Sequence, residues 1–314
     1  MMSDSERRFL MKKNKSLLKV LVGAGLGLHL SNQYISYNAK QNAFLREDEG
    51  SFYYSRLGKV FYTKEGEGSP ILLIHQLSPL ASGYEWQATT EKLIRNHTVY
   101  TLDLLGCGRS EKPDLVYTNF LYVTLILDFI SNVIRQSVPI VSSRESGAIA
   151  LMAKKYDPQW ISKILLINPM SLEALKDSPD DASRRQGKLF TLPLIGETLY
   201  NIYFARSTMA CVFDSDTQKK AAYDASHRDH SRGRFLYSSL LTRFTRINTD
   251  KALVEAGNYA AVLFGDKSLW HEDILNEYTK TSPEVVVFET LANCKHPHIE
   301  KPDETIEIIE KYLF

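Results

Sequence analysis

Cysteine is scarce in this 314-residue chain. Cys107, Cys211 and Cys294 stand far apart and match no metal-ligand spacing, so no metal site is expected. An odd count of three gives no support to a disulfide framework. Excess charge of either sign is also missing. The 38 Lys and Arg against 37 Asp and Glu leave +1, which offers no footprint for nucleic acid. No internal repeat or low-complexity tract is present. No apolar run reaches the ~20 residues that a spanning helix needs.

What is there begins at the N-terminus. Arg7, Arg8, Lys12, Lys13 and Lys15 precede the mostly apolar run from Leu17 to Leu30. A basic flank followed by an apolar core of this length suits an uncleaved membrane anchor, a signal peptide, or a helix packed on the folded domain. Membrane association through residues 17–30 is the expectation. If the run spans, the basic flank stays in the cytoplasm and the domain lies outside it; a cytoplasmic chain is the alternative. Residues 31–50 read as a polar linker, closing an N-terminal segment of residues 1–50.

Beyond residue 50 the pattern changes. Phe52–Arg56 and Lys59–Thr63, split by Leu57-Gly58, read as an antiparallel hairpin. Pro70–His75, Thr98–Asp103, Val138–Ser142, Lys163–Asn168, Ala260–Phe264 and Glu284–Phe288 are apolar runs of the kind found in strands buried on both faces. Helical stretches separate most of them: Tyr84–Asn96, residues 117–136, the run after Ser146, and Asp303–Leu313. This alternation predicts an α/β fold, a mainly parallel sheet of about eight strands flanked by helices. Residues 171–250 break the alternation. They are polar, helix-leaning and rich in Arg, Tyr and Phe, and are expected to form a helical insertion between core segments 51–170 and 251–314.

The chemistry centres on the break between strand and helix in Ser142-Ser143-Arg144-Glu145-Ser146-Gly147. A strand that turns sharply into a helix presents one side chain at the apex, above the free N–H groups of the helix. A tight turn needs small residues two before and two after the apex. Glu145 as apex has Ser143 and Gly147 there. Ser146 would have Arg144 two before, and Ser143 would have Glu145 two after. Glu145 is therefore the expected apex.

In this it resembles the α/β-hydrolase superfamily, whose elbow reads G-x-S-x-G. Three further stretches carry the resemblance over residues 52–314. Pro70 to Trp86 is similar to the family's first strand and HG-x loop. Asp103-Leu104-Leu105-Gly106-Cys107-Gly108-Arg109-Ser110 matches its D-x-x-G-x-G-x-S turn. Lys295-His296-Pro297-His298-Ile299-Glu300-Lys301-Pro302 is similar to the segment carrying the catalytic histidine. The resemblance implies an α/β-hydrolase sheet with residues 171–250 as a cap over the site.

It also implies roles. Glu145 falls at the nucleophile position. Leu77, after His75-Gln76, and Ser146 would supply the oxyanion N–H groups. His75 either shares in the site or merely anchors its loop. His296 takes the histidine position if one residue is deleted; otherwise Lys295 does. Ser268 occupies the usual acid position, and Asp266, two residues earlier, is the candidate acid or a solvated turn residue. Glu145 needs no base and could attack an alkyl carbon, as aspartate does in dehalogenases and epoxide hydrolases. Its extra methylene misplaces it, and effective molarity falls steeply with misplacement. Three functions follow: an impaired hydrolase that keeps a pocket for a small-molecule ligand, a working hydrolase of ester-like or apolar substrates, and a membrane-tethered scaffold. None calls for a cofactor.

Overall fold

The computed structural model describes residues 4–269, 271–287 and 290–314. The hairpin forms as the sequence implies, β1 (Ser51–Ser55) pairing with β2 (Gly58–Glu65). The six apolar runs become β3 (Ser69–Ile74), β4 (His97–Leu102), β5 (Val138–Ser143), β6 (Ile161–Ile167), β7 (Ala260–Leu263) and β8 (Val286–Val287). Phe288, the expected end of the last strand, lies outside the described residues. The eight strands make one sheet in the order β1-β2-β4-β3-β5-β6-β7-β8. β2 runs against β1 and β4, and every other neighbouring pair is parallel.

Period-two alternation divides the sheet's side chains between two apolar layers. Leu72 and Ile74 of β3 enter one core and Ile71 and Leu73 the other. The first layer holds α3 (Asn119–Phe129) and α4 (Ser146–Tyr156) against the sheet. The second holds α2 (Gln87–Leu93) and the C-terminal helix through Trp86, Leu93, Ile309 and Leu313.

Between β6 and β7 the chain leaves the sheet. It forms α5 (Leu172–Lys176), α6 (Asp181–Thr191), α7 (Ile195–Tyr203), α8 (Arg206–Val212), α9 (Asp216–Ser231), α10 (Gly233–Leu241) and α11 (Asp250–Ala256). The remaining helices are α12 (His271–Thr281), α13 (Pro297–Glu300) and α14 (Pro302–Leu313).

At the N-terminus the helix is longer than the apolar run implies: α1 spans Asp4–Gln41. Its last third, expected as linker, is helical because it has a surface to rest on. Asn32 is buried, donating to Thr198 Oγ1 at 3.0 Å and accepting from Asn201 Nδ2 at 3.0 Å. Ala39 is buried two turns further on. Phe44 and Leu45 then donate their N–H groups to Asp224 Oδ2 at 2.9 and 2.7 Å. Among the described residues no helix is long and apolar enough to cross a membrane.

The D-x-x-G-x-G-x-S turn is held by one buried carboxylate. Asp103, just past β4, accepts from Gly83 N–H, from Arg109 N–H at 2.7 Å, and from Arg109 Nε and Nη2 at 2.8 and 3.0 Å. Arg109 also stacks on Phe61, 3.9 Å from the ring centre. Gly106 and Gly108 take left-handed φ values of 87° and 46°, which explains the glycines of the motif. Burial alone would raise the Asp103 pKa, but the Arg109 charge and hydrogen bonds override it and hold the carboxyl at about 2.

Asp103→Ala should therefore cost about 3–5 kcal/mol in denaturant unfolding, because it strands the buried guanidinium. The carboxylate's share of stability is complete above its ordinary pKa of 3.8 and vanishes as pH falls toward about 2. A stability series across that window should be flatter for Asp103→Asn.

Candidate functional site

β5 ends at Ser143 and α4 begins at Ser146, so two residues make the whole turn. Arg144 has a left-handed φ of 51°, whereas Glu145 already has helical backbone angles (φ −59°, ψ −32°). The apex is thus Arg144, one residue before the expected Glu145. The flanking test that selected Glu145 is met equally by Arg144, with Ser142 two before and Ser146 two after, both fully buried. Arg144 N–H still pairs with Ile167 O at 3.0 Å, extending the β5–β6 ladder to the apex. Gly147 faces Leu166, where any side chain would be tight against Cδ2.

Moving the apex by one residue shifts what surrounds it. By position, the N–H groups of the hole become those of Glu145 and Leu77. Leu77 and Glu145 do line one cavity together with Arg144. Ser146 is instead a helix residue whose Oγ donates to His75 O at 2.6 Å. His75 is fully buried and anchors its loop. Its Nε2 accepts from Leu104 N–H at 3.0 Å, so Nδ1 carries the proton and donates to Gln76 O at 2.7 Å.

The polar centre beneath the turn was not foreseen. Glu85, on the 3₁₀ turn Gly83–Trp86, accepts from Ser143 Oγ through a short contact on Oε1. The same oxygen lies 2.9 Å from His298 Nε2, and Oε2 accepts from Gln76 N–H at 3.1 Å. His298 packs on Trp86 with ring centres 4.4 Å apart, and its carbonyl accepts from Thr89 Oγ1 at 2.8 Å. Burial of Glu85 opposes ionisation. The His298 hydrogen bond and charge and the Ser143 hydroxyl override it and bring the carboxyl down to about 2.

The expected histidine, His296, borders the same space as Ser143, Arg144, Glu85 and His298, a cavity of about 520 Å³. Its ring centre lies 6.4 Å from that of His298. Burial lowers its pKa, and the neighbouring His298 lowers it further. Ser268 lines an adjoining cavity of about 430 Å³, again with Arg144. Asp266 lines none of the three cavities that meet at Arg144. It accepts from Cys294 N–H at 3.1 Å, so it braces the loop that leads to His296. Glu145 is held 3.9 Å from Arg144 Nε, and burial raises its pKa, contrary to the lowering that oxyanion-hole donors would produce. Among the described residues no group of His, Cys, Asp and Glu is placed to hold a metal.

An elbow between strand and helix, in a sheet with one reversed strand, carries these groups on the carboxyl edge of the parallel strands. The sequence pattern of the Alpha/beta hydrolase family matches residues 71–308. The chain belongs to this family. Similar proteins include a 2-hydroxy-6-oxo-6-(2'-aminophenyl)hexa-2,4-dienoic acid hydrolase of Metapseudomonas resinovorans. That protein is 25% identical over 52% of this chain and 59% of its own length. The chain spans 30% to 59% of the curated relatives it matches first. A serine hydrolase involved in carbazole degradation has a similar fold, with TM-score 0.69 and 17% identity over 84% of this chain and 98% of that one. A membrane phospholipase A matches 98% of both chains, with TM-score 0.63 and 18% identity.

The Glu85–His298 contact joins residues far apart in this hydrolase-family chain. A double-mutant cycle of Glu85→Gln and His298→Phe should give a coupling of about 1–3 kcal/mol in unfolding free energy. The contribution of Glu85 is present above its ordinary pKa of 4.5 and lost as pH falls toward about 2. Unfolding at several pH values measures both.

Proposed function

We propose that the chain keeps the family's ligand pocket while lacking its nucleophile. The observation that carries this reading is the cation at the apex. A guanidinium stays charged at any physiological pH and has no free electron pair with which to attack carbon. Neither nearby serine takes its place. The Ser143 hydroxyl faces a carboxylate whose pKa of about 2 makes it a feeble base, and His298 contacts that carboxylate rather than the serine. Ser146 is buried and committed to a backbone carbonyl.

A working hydrolase is the second reading. It is favoured by Glu145, whose raised pKa and place in the cavity beside Leu77 suit a carboxylate nucleophile or a proton carrier. His296 would then serve as base and Asp266 would act only through the loop it braces. The native chain should show neither fluorophosphonate labelling nor appreciable turnover of a short p-nitrophenyl ester. Labelling that disappears in Ser143→Ala, or turnover that disappears in Glu145→Gln, sinks the first reading.

The same protein is proposed to associate with membranes through residues 17–30. Too short to span, this part of α1 would lie in the interface with its apolar side chains among the lipids. Leu26 is 58% exposed and Leu30 67%, with Val20, Val22, Tyr34 and Tyr37 also outward, while contact with the domain begins near Gly25 and Asn32. Leu26→Glu with Leu30→Glu leaves the Asn32 contacts in place. It should abolish co-sedimentation of the chain with anionic vesicles; unchanged co-sedimentation would remove the membrane role.

A further inference from the structure

Arg144 stands where the three cavities meet, and its side chain is 44% exposed to them. Its guanidinium makes no hydrogen bond among the described residues. Its ion pair with Glu145 is long, at 3.9 Å. The nearby Arg109, by contrast, is spent on Asp103. At Arg144 five N–H donors face open space from a left-handed backbone position, a conformation that a residue other than glycine holds only at a cost in strain. A charge so placed has only the Glu145 carboxylate, at 3.9 Å, as its counter-ion.

The walls distinguish the three spaces. The 520 Å³ cavity carries the carboxylates of Glu85, Glu300 and Asp214, and the 430 Å³ cavity those of Asp273 and Glu277. Against these the first cavity sets Lys295 and Arg144 and the second Arg144 alone, so carboxylates outnumber fixed cations in both. The third cavity, about 380 Å³, carries only Glu145, whose pKa is raised by its burial. Arg246 adds a second cation there, already bonded to Asp177 at 2.9 Å and Ala174 O at 3.1 Å. The rest is mostly apolar, with Leu77, Leu80, Met170, Phe204 and Leu240 among its walls. Its size falls within the roughly 300–1,000 Å³ of small-molecule sites.

We infer that this third cavity binds an amphipathic carboxylate, its head bidentate on Arg144 and its aliphatic tail against the helices between β6 and β7. The inference rests on the reading of the pocket as a ligand site. The planar fork of a guanidinium matches a carboxylate in geometry as well as charge. Ionised ligand and Glu145 compete for the same cation, so the glutamate limits the affinity. Tyr203 and Val212, both largely exposed, border the cavity and give the tail an apolar way in.

The test is calorimetric titration of the full chain with dodecanoate, dodecyl phosphate and dodecanol below their aggregation thresholds. Dodecanoate should bind at least about tenfold more tightly than dodecanol, the scale of a hydrogen bond to a charged group. Arg144→Asn removes the cation while tolerating the left-handed backbone, and should bring dodecanoate down to the level of dodecanol. Arg144→Lys should recover part of the difference, and Glu145→Gln should tighten dodecanoate alone. Dodecyl phosphate binding more tightly than dodecanoate would replace the carboxylate by a phosphate head. Equal binding of dodecanoate and dodecanol, or dodecanoate affinity unchanged in Arg144→Asn, overturns the anion site but leaves the pocket. Failure of all three probes to bind the native chain overturns the pocket reading itself.

Discussion

One buried carboxylate ties together the loops from which the site is built. Glu85 receives the end of β5 through Ser143, the loop after β3 through Gln76, and the start of the C-terminal segment through His298. Three loops of a parallel sheet end near one another but have no reason of their own to keep a fixed geometry. A charged oxygen pair with three donors supplies that reason, since hydrogen bonds to a charged group are roughly twice as strong as neutral ones. Leaving any donor out exposes an incompletely paired charge in the interior. The turn that carries Arg144 begins at one of these donors, so its position depends on Glu85 as much as on the sheet.

Two carboxylates thus divide the work on the carboxyl edge. Asp103 closes the turn after β4 on Arg109, and Glu85 closes the neighbouring loops on His298. Both are ionised at neutral pH by partners already in contact with them. Arg144 differs. It shares the neighbourhood, yet its backbone ladder to Ile167 fixes only its main chain, and its head group is left to the cavities. The buried carboxylates of this edge are matched by close partners, whereas Arg144 meets its carboxylate only at 3.9 Å.

Much of the fold was legible because its signals are local. The apolar runs that become β3 to β7 are continuous, and continuity is what burial on both faces demands. The D-x-x-G-x-G-x-S turn carries its own explanation in two left-handed glycines and one carboxylate six residues from its arginine. The site was less legible for two reasons. Glu85 and His298 lie 213 residues apart, and nothing near either residue announces the other. Arg144 satisfied the spacing rule as well as Glu145 did, but the rule was applied only to side chains able to attack. The apex is decided by the backbone, which takes no account of what the side chain can do. α1 outran its apolar run because Asn32 and Ala39 found partners on α7 and α9 that their own sequence does not reveal.

The 213-residue reach of Glu85 has a consequence for how the chain is made. Strands β1 to β6 are complete by Ile167, and every pairing among these six can form from that N-terminal portion. Until His298 arrives, however, Glu85 lacks one of its three donors, and burying it is unfavourable. The later chain then adds more links along α2 and to the start of β4: Thr89 to His298, Lys92 to Asp303, and His97 to Glu310 at 2.8 Å. On a ribosome releasing about 5–20 residues per second, the half-built sheet would wait roughly 7–26 seconds for His298. The segment that carries His298 therefore acts as the latch on a centre whose other donors come from the first half of the fold.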